Sequence, residues 1–248
     1  METNMSMEIL KQFLVDKVRL LRKNGVWEDR FDPSKNRIEK FYTLNGDAVQ
    51  VPYMCQDYVF NGCYTPLEGF SVLRLLYEDP SFRFEQMFAM YIFLPEKTDG
   101  LSNITNLFSS HSKDFLTQKF KFDQIYYIKK LRIPNFKFNF KFNVSKMMER
   151  LGLIMDESEK SVGISSSDGQ TNIPRNRKNF HSASIEVNEN GTEAASADYG
   201  EERMGCSLYS TPKQYVDFVV DHPFFFMIRE DKSRTPIFFG TVVNPLLD

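Results

Sequence analysis

The run Ile185-Glu186-Val187-Asn188-Glu189-Asn190-Gly191-Thr192-Glu193-Ala194-Ala195-Ser196-Ala197 decides how this chain is to be read. Its first half alternates apolar and polar residues, as a half-buried strand does. Asn190-Gly191 then supplies turn chemistry, because glycine reaches backbone angles that other residues avoid. Beyond the glycine the side chains are small before the mixed run 198–211 begins. A strand followed by a polar loop accounts for the turn but leaves the small residues unexplained. Small side chains at alternate positions let a loop enter a sheet as an extra strand, held largely by backbone hydrogen bonds.

Working outward, the same texture recurs. Val49, Val51 and Tyr53 alternate after Asn45-Gly46, a hairpin signal. Residues 70–77 and 87–94 read as strands, the second apolar almost throughout and so expected to be buried on both faces. Further strands are expected at 182–189, 224–229 and 237–243. Residues 126–142 read as strand-like throughout, with Phe136, Phe138, Phe140 and Phe142 facing the core and Asn135, Lys137, Asn139 and Lys141 facing water. Ile9, Phe13, Leu14, Val18 and Leu21 recur at helical spacing and predict a helix over 7–22. Two more helices are expected, at 101–120 with Ser102 or Asn103 as cap, and at 144–153 with Ser145 as cap. The Ser-, Gly- and Asn-rich stretch 156–178 reads as a loop. Consecutive strands without helical crossovers imply an α+β fold with mixed, mostly antiparallel sheets and short helices.

Composition narrows the function. The chain has 248 residues, 31 Lys+Arg against 33 Asp+Glu, and 24 Phe, which is enough apolar matter for a large core and too little net charge for a nucleic-acid or anionic-lipid partner. The apolar runs, such as Phe224 to Ile228 and the longer Met87 to Leu94, are far shorter than the roughly 18 residues of a membrane span. Cys55, Cys63 and Cys206 are odd in number and form no CxxC, so neither a disulfide framework nor a metal site is expected. The first eight residues carry no basic region ahead of an apolar core, so no signal peptide is read and a cytoplasmic, reducing location is expected.

No catalytic set stands out. His111, His181 and His222 occupy unrelated contexts, and no GxSxG, P-loop, HExxH or GxGxxG occurs, so no enzyme and no cofactor are expected. Between Lys119 and Lys146 eight basic residues interleave with aromatics against a single Asp123, the composition of a single-strand binding surface. Strict alternation explains that pattern without a ligand. Sequons at Asn4, Asn103, Asn143 and Asn190 are read as chance.

Several motifs in order carry a resemblance. Glu189-Asn190-Gly191-Thr192-Glu193-Ala194-Ala195 is similar to the proximal hinge of a serpin reactive-centre loop, and Asp221-His222-Pro223-Phe224-Phe225-Phe226 to the signature that follows it. Gly240-Thr241-Val242-Val243-Asn244-Pro245 resembles the family's C-terminal strand. Upstream, Gly25-Val26-Trp27 through Phe31-Asp32-Pro33, then Met90-Tyr91-Ile92-Phe93-Leu94-Pro95, then Ile133-Pro134-Asn135-Phe136-Lys137-Phe138 match in order and spacing. The chain therefore resembles the serpins, the plant serpins in particular, from about Gly25 to Asp248.

That resemblance implies a partial serpin domain over 25–248 behind an atypical segment 1–24, with an exposed reactive-centre loop at about 190–212. It implies a monomeric suicide inhibitor of serine or cysteine proteases, in which loop cleavage is followed by loop insertion, and it raises the extracellular space as a location. Gly191 and Thr192 become the pivot, and Trp27 part of the breach where insertion begins. A family interval of about fourteen residues from Gly191 sets the scissile bond at Gly205–Cys206, whereas a trypsin-like protease would prefer Arg203–Met204. The scissile region is therefore Arg203, Met204, Gly205, Cys206 and Ser207. The family's N-terminal helices and two strands of its main sheet have no counterpart here, and 11–22, where strand three belongs, has helical periodicity. Impaired trapping is the expected result, with phenylalanines such as Phe136 and Phe138 near water. The alternative is a non-inhibitory or degenerate member acting as protease substrate or binding module. Strand alternation from Thr192 sends Asp198 inward on insertion, where a carboxylate is costly. Cys206, near Arg203, is expected to be the most reactive thiol.

Overall fold

A computed structural model describes residues 25–57, 60–78, 87–110, 120–122, 124–143, 180–192 and 214–247. The expected helices at 7–22 and 144–153, the loop 156–178, the segment 1–24 and strand three at 11–22 lie outside the described residues.

Twelve strands are described. β1 (Arg37–Tyr42) and β2 (Ala48–Gln56) form an antiparallel hairpin with Tyr42 opposite Ala48. Gly46, at φ 84, takes the left-handed angle between them that the Asn-Gly signal foretold. β3 (Phe60–Leu67) and β4 (Phe70–Leu76) close around Glu68-Gly69, where Gly69 has φ 80. β5 (Phe88–Pro95) follows, then a helix, α1 (Leu101–Ser110), then β6 (Tyr126–Pro134) and β7 (Phe136–Asn143). The chain resumes with β8 (Phe180–Asn188), β9 (Gly191–Thr192), β10 (Gln214–Val219), β11 (Phe224–Glu230) and β12 (Thr235–Val242).

Nine strands join in one sheet of order β1-β2-β6-β3-β4-β5-β11-β12, with β10 also on β6; the other three form a sheet of order β7-β8-β9. The pairings along the nine-stranded path are antiparallel, and β10 on β6 is parallel. A parallel pair needs a long crossover, and β7, β8 and the segment after β9 supply it. The expected α+β class with mixed, mostly antiparallel sheets is thus present. Proximity divides the chain into residues 1–137 with 186–248, and residues 138–185. Of the second unit the outer residues of β7 and the first residues of β8 are described.

β5 is buried along its whole length, as its apolar run foretold. One of its faces, Ala89, Tyr91 and Phe93, packs with Phe70, Val72, Leu101, Ile104, Phe120, Phe225 and Met227. Each buried aromatic or aliphatic side chain of this kind contributes about 1.5–3 kcal/mol, so α1 is held chiefly by Leu101 and Ile104 against the sheet. Charges enter this core only in company. Arg74 donates to Asp231 at 2.8 and 2.6 Å, Arg229 to the same carboxylate at 3.0 Å, and the Tyr91 hydroxyl to it at 2.7 Å. Burial drives the Tyr91 hydroxyl well above its ordinary range, with Asp231 adding to the effect.

Four expectations need correction. Residues 126–142 are not one strand: the chain turns at Asn135, and β6 and β7 belong to different sheets. The proline before Asn135 cannot donate to a ladder, which favours a break at this point. Ser102 and Asn103 lie inside the first turn of α1 and do not cap it; Asn103 N–H donates to the Gly100 carbonyl at 3.1 Å. The helix ends before Phe120, which is in coil and packs on Tyr91 and Phe93. Phe136 does not sit near water: it is 3% exposed, with its ring 5.7 Å from Phe224 and 5.3 Å from Phe226. The β11 aromatics cover it, a long-range contact that alternation alone does not reveal. Strands β1, β3 and β10 had no separate signal.

Candidate functional site

The site lies where the end of β8 meets the segment Gly25 to Trp27. Val187 pairs with Thr192 and Asn188 with Gly191, so Glu189-Asn190 is a two-residue turn and β9 is an antiparallel strand added to β8. The Asn188 side chain accepts from Asn190 N–H at 3.0 Å and tightens that turn. On its other side Gly191 forms an antiparallel bridge with Val26. The first residues of the expected loop are therefore already a strand with a neighbour on each edge.

Gly191 is required here for space and for angle. Its φ is 124, and a Cβ placed on it would lie 1.8 Å from the Gly25 carbonyl oxygen and 2.7 Å from Val26 Cα. Backbone crosses backbone at that point, and no rotamer change can relieve the overlap.

Trp27 closes the site from beneath. It is 1% exposed, and its indole Nε1 donates to the Asn188 carbonyl at 2.8 Å while its backbone N–H reaches the Asn190 carbonyl at 3.3 Å. Tyr77 stacks on it at 4.6 Å and Phe31 meets it edge-on at 6.5 Å. Burying an indole usually requires a partner for its N–H, and the turn carbonyl is that partner. Residues 161 positions apart are thereby fixed together.

Glu189 anchors the turn on a third side. Its carboxylate accepts from the side-chain amides of Asn36 and of Asn135, the latter at 3.4 Å. Asn135 was expected to face water, but it stands at the turn between β6 and β7, half-buried and tied to Glu189. Asn36, Tyr77 and Asn135 had not been singled out for this site. Asn135, directly after Pro134 at a strand end, carries a faint signal; Asn36, in the polar run Ser34-Lys35-Asn36-Arg37, carries none.

Of the expected site residues, Trp27, Glu189, Asn190, Gly191 and Thr192 come together. Glu193, Ala194, Ala195, Arg203, Met204, Gly205, Cys206 and Ser207 lie outside the described residues. Among the described residues no group of His, Cys, Asp and Glu is arranged to hold a metal ion.

The thiols rank by environment. Cys55 is buried, its Sγ donates to the Tyr53 carbonyl at 3.4 Å, and burial pushes the thiol upward in pKa. Cys63 is half-buried, 3.8 Å from an Arg74 donor. Labelling of the native chain with a maleimide, read by peptide mass, should modify Cys206 first, then Cys63, and Cys55 only on unfolding. Equal labelling of all three would overturn this order.

Comparison with known proteins agrees with the geometry. A family model described as Serpin (serine protease inhibitor) matches residues 18–245. Serpin-Z1 of Arabidopsis thaliana is 35% identical over 224 residues, 89% of this chain and 51% of that protein. Serpin-Z2B of Triticum aestivum is 34% identical over 229 residues, 90% of this chain and 54% of that protein. A solved structure of Arabidopsis AtSerpin1 in the native stressed conformation superposes with a TM-score of 0.63 at 30% identity, covering 90% of this chain and 55% of that one. Uncleaved ovalbumin, at 22% identity and a TM-score of 0.59, shares the fold. The chain spans about half the length of the relatives it matches.

Proposed function

Because this chain belongs to the serpin family, we propose that it is a serine-type endopeptidase inhibitor and not an enzyme, acting by loop cleavage and insertion. The observation that carries this reading is β9: the loop leaves β8 as an antiparallel strand, flanked by Val26, in the register that insertion would extend. A protease attacking between Arg203 and Ser207 would form an acyl ester with the newly freed carbonyl and release the chain beyond it. Each residue then added to β9 exchanges loop backbone hydrated by water for a ladder hydrogen bond. Trp27 and Glu189 hold the pivot in place while the strand lengthens. Serine or cysteine proteases are the partners, no cofactor is invoked, and the working unit is a monomer. The location, cytoplasmic or extracellular, follows whichever compartment holds the protease.

Trapping needs a sheet that gains more on insertion than deacylation can outrun. For the 248-residue polypeptide alone, which matches about half of each relative, impaired trapping is the expected behaviour. Mixed with trypsin, it should be cut between Arg203 and Ser207 with no SDS-resistant adduct. Joined behind the N-terminal half of the Arabidopsis Serpin-Z1, it should yield an adduct on a denaturing gel. Cleavage without any adduct from the joined chain would favour the second reading, a non-inhibitory member that is only a protease substrate or binding module. No cleavage of either polypeptide in that region would remove the inhibitor and substrate readings and leave only a binding module.

A further inference from the structure

We propose that Asn190 is a self-modifying site: its side-chain amide closes on the Gly191 nitrogen, loses ammonia and hydrolyses to aspartate and isoaspartate. The conversion unmakes the hinge and gives the chain a limited working life. The chemistry stands apart from the function proposed above; its consequence for trapping rests on that function and goes beyond it.

The reaction needs an asparagine with a free side chain and a successor that does not crowd its own nitrogen. Asn190 is exposed in the turn, and among the described residues its side-chain amide has no hydrogen-bond partner; only its backbone N–H meets the Asn188 side chain. Gly191 presents a bare nitrogen, and the close approach of Gly25 forbids any side chain there. The crowding that requires glycine at 191 thus supplies the least hindered successor an asparagine has. The Gly191 nitrogen, once deprotonated, forms a bond to Asn190 Cγ while the Cγ–Nδ2 bond breaks and ammonia leaves. Water then opens the five-membered imide at either carbonyl. Opening at Cγ leaves aspartate. Opening at the backbone carbonyl leaves isoaspartate, with the main chain rerouted through Cβ and Cγ. No oxidant or reductant takes part.

The hinge sets the rate. Gly191 is held in β9 opposite Asn188 and bridged to Val26, so its nitrogen reaches the Asn190 side chain only when this two-residue strand lifts away. Such local opening costs least where few bonds hold a segment. Trp27 holds this one through the Asn188 carbonyl at 2.8 Å and, more loosely, the Asn190 carbonyl at 3.3 Å. Once formed, the products do not fit. The imide nitrogen has no hydrogen to give to a ladder. Isoaspartate lengthens the main chain by one atom where Gly191 already lies against the Gly25 and Val26 backbone, and it turns the carbonyl that Trp27 N–H meets into a carboxylate. Either product adds a negative charge next to Glu189. Asn45-Gly46 is the internal reference: Asn45 is exposed too, but the Gly46 N–H donates to Thr43 at 2.9 Å and that turn has no bond to Trp27.

The test holds the 248-residue chain in a warm, mildly alkaline buffer and locates the two products by tandem mass spectrometry and an isoaspartyl methyltransferase. Conversion at Asn190 should grow with hydroxide concentration, and more slowly than in a synthetic peptide of residues 185–197. Trp27→Phe removes the indole donor and should speed conversion at Asn190 about tenfold, the equivalent of one buried hydrogen bond, with Asn45 unchanged. If both asparagines accelerate, the variant has unfolded, and Asn188→Ala, which removes the 3.0 Å bond to the Asn190 N–H, carries the same comparison. In the joined chain, ageing should lower the yield of SDS-resistant adduct in proportion to the converted fraction, whereas Asn190→Gln should keep its own fresh yield. No conversion at Asn190 in the folded chain while the peptide converts, or a rate indifferent to both hinge variants, would overturn the proposal. Undiminished adduct after full conversion would overturn it too and leave the inhibitor reading standing. Absence of adduct from the fresh joined chain would overturn the inhibitor reading alone, since mass spectrometry reads the conversion without it.

Discussion

Gly191→Ala is expected to shift the emission of Trp27 to the red and to lower the melting temperature by roughly 6–12 °C, the equivalent of about 3 kcal/mol in a domain of this size. Two costs combine. Alanine at φ 124 is strained wherever it stands, at about 1–3 kcal/mol. The larger cost is the methyl itself, which would meet the Gly25 carbonyl oxygen at 1.8 Å and must push the hinge away from it. That movement carries off the Asn188 and Asn190 carbonyls on which Trp27 depends, at 2.8 and 3.3 Å. Trp27 is the single tryptophan of the chain, so its fluorescence reads this site and no other. Gly46→Ala is the control: Gly46 has φ 84 but nothing within 4 Å of a Cβ, so strain alone should cost about 1 kcal/mol and leave the emission unchanged. Equal melting temperatures for the two variants would show that the close approach at Gly191 is not structural.

In the joined chain described above, Asp198→Thr should raise the ratio of trapped complex to cleaved loop by one to two orders of magnitude. Val187 is buried and pairs with Thr192, and cross-strand partners share a face. Were insertion to extend that register along β8, Ala194 would come opposite Ile185, Ser196 opposite Ala183 and Asp198 opposite His181. The first two additions bury small side chains at little cost. Asp198 brings a carboxylate to the same face at a desolvation cost of several kcal/mol, against which an imidazole opposite returns one hydrogen bond. Each 1.4 kcal/mol on the insertion barrier is a factor of about ten in the race against deacylation. Densitometry of complex and cleaved bands gives the ratio directly. An unchanged ratio would mean that insertion stops short of Asp198 or that this face is wet.

The turn at Asn190-Gly191 was legible because its chemistry is local. Asn-Gly at a strand end calls for a turn, and Gly191 carries the positive φ and the close contact that only glycine tolerates. β5 was legible for the same reason: eight apolar residues in a row have to be interior. Asn135 was not legible. Periodicity assigned it to the wet side of a strand, yet the chain breaks there and its amide points to Glu189, 54 residues away. Phe136 was misjudged through an argument about missing cover, because the aromatics that cover it, Phe224 and Phe226, come from the other end of the sequence.

From the sequence alone came the α+β class and the turn at Asn190-Gly191, since turn angles, alternation and apolar runs are properties of neighbouring residues, while the family and the interest of Trp27 came from the resemblance of several motifs in order. Only the tertiary structure decided that Trp27 donates to Asn188 and that Glu189 is gripped by Asn36 and Asn135. Those contacts join residues up to 161 positions apart. They are fixed by how whole strands pair and pack, which no local pattern encodes.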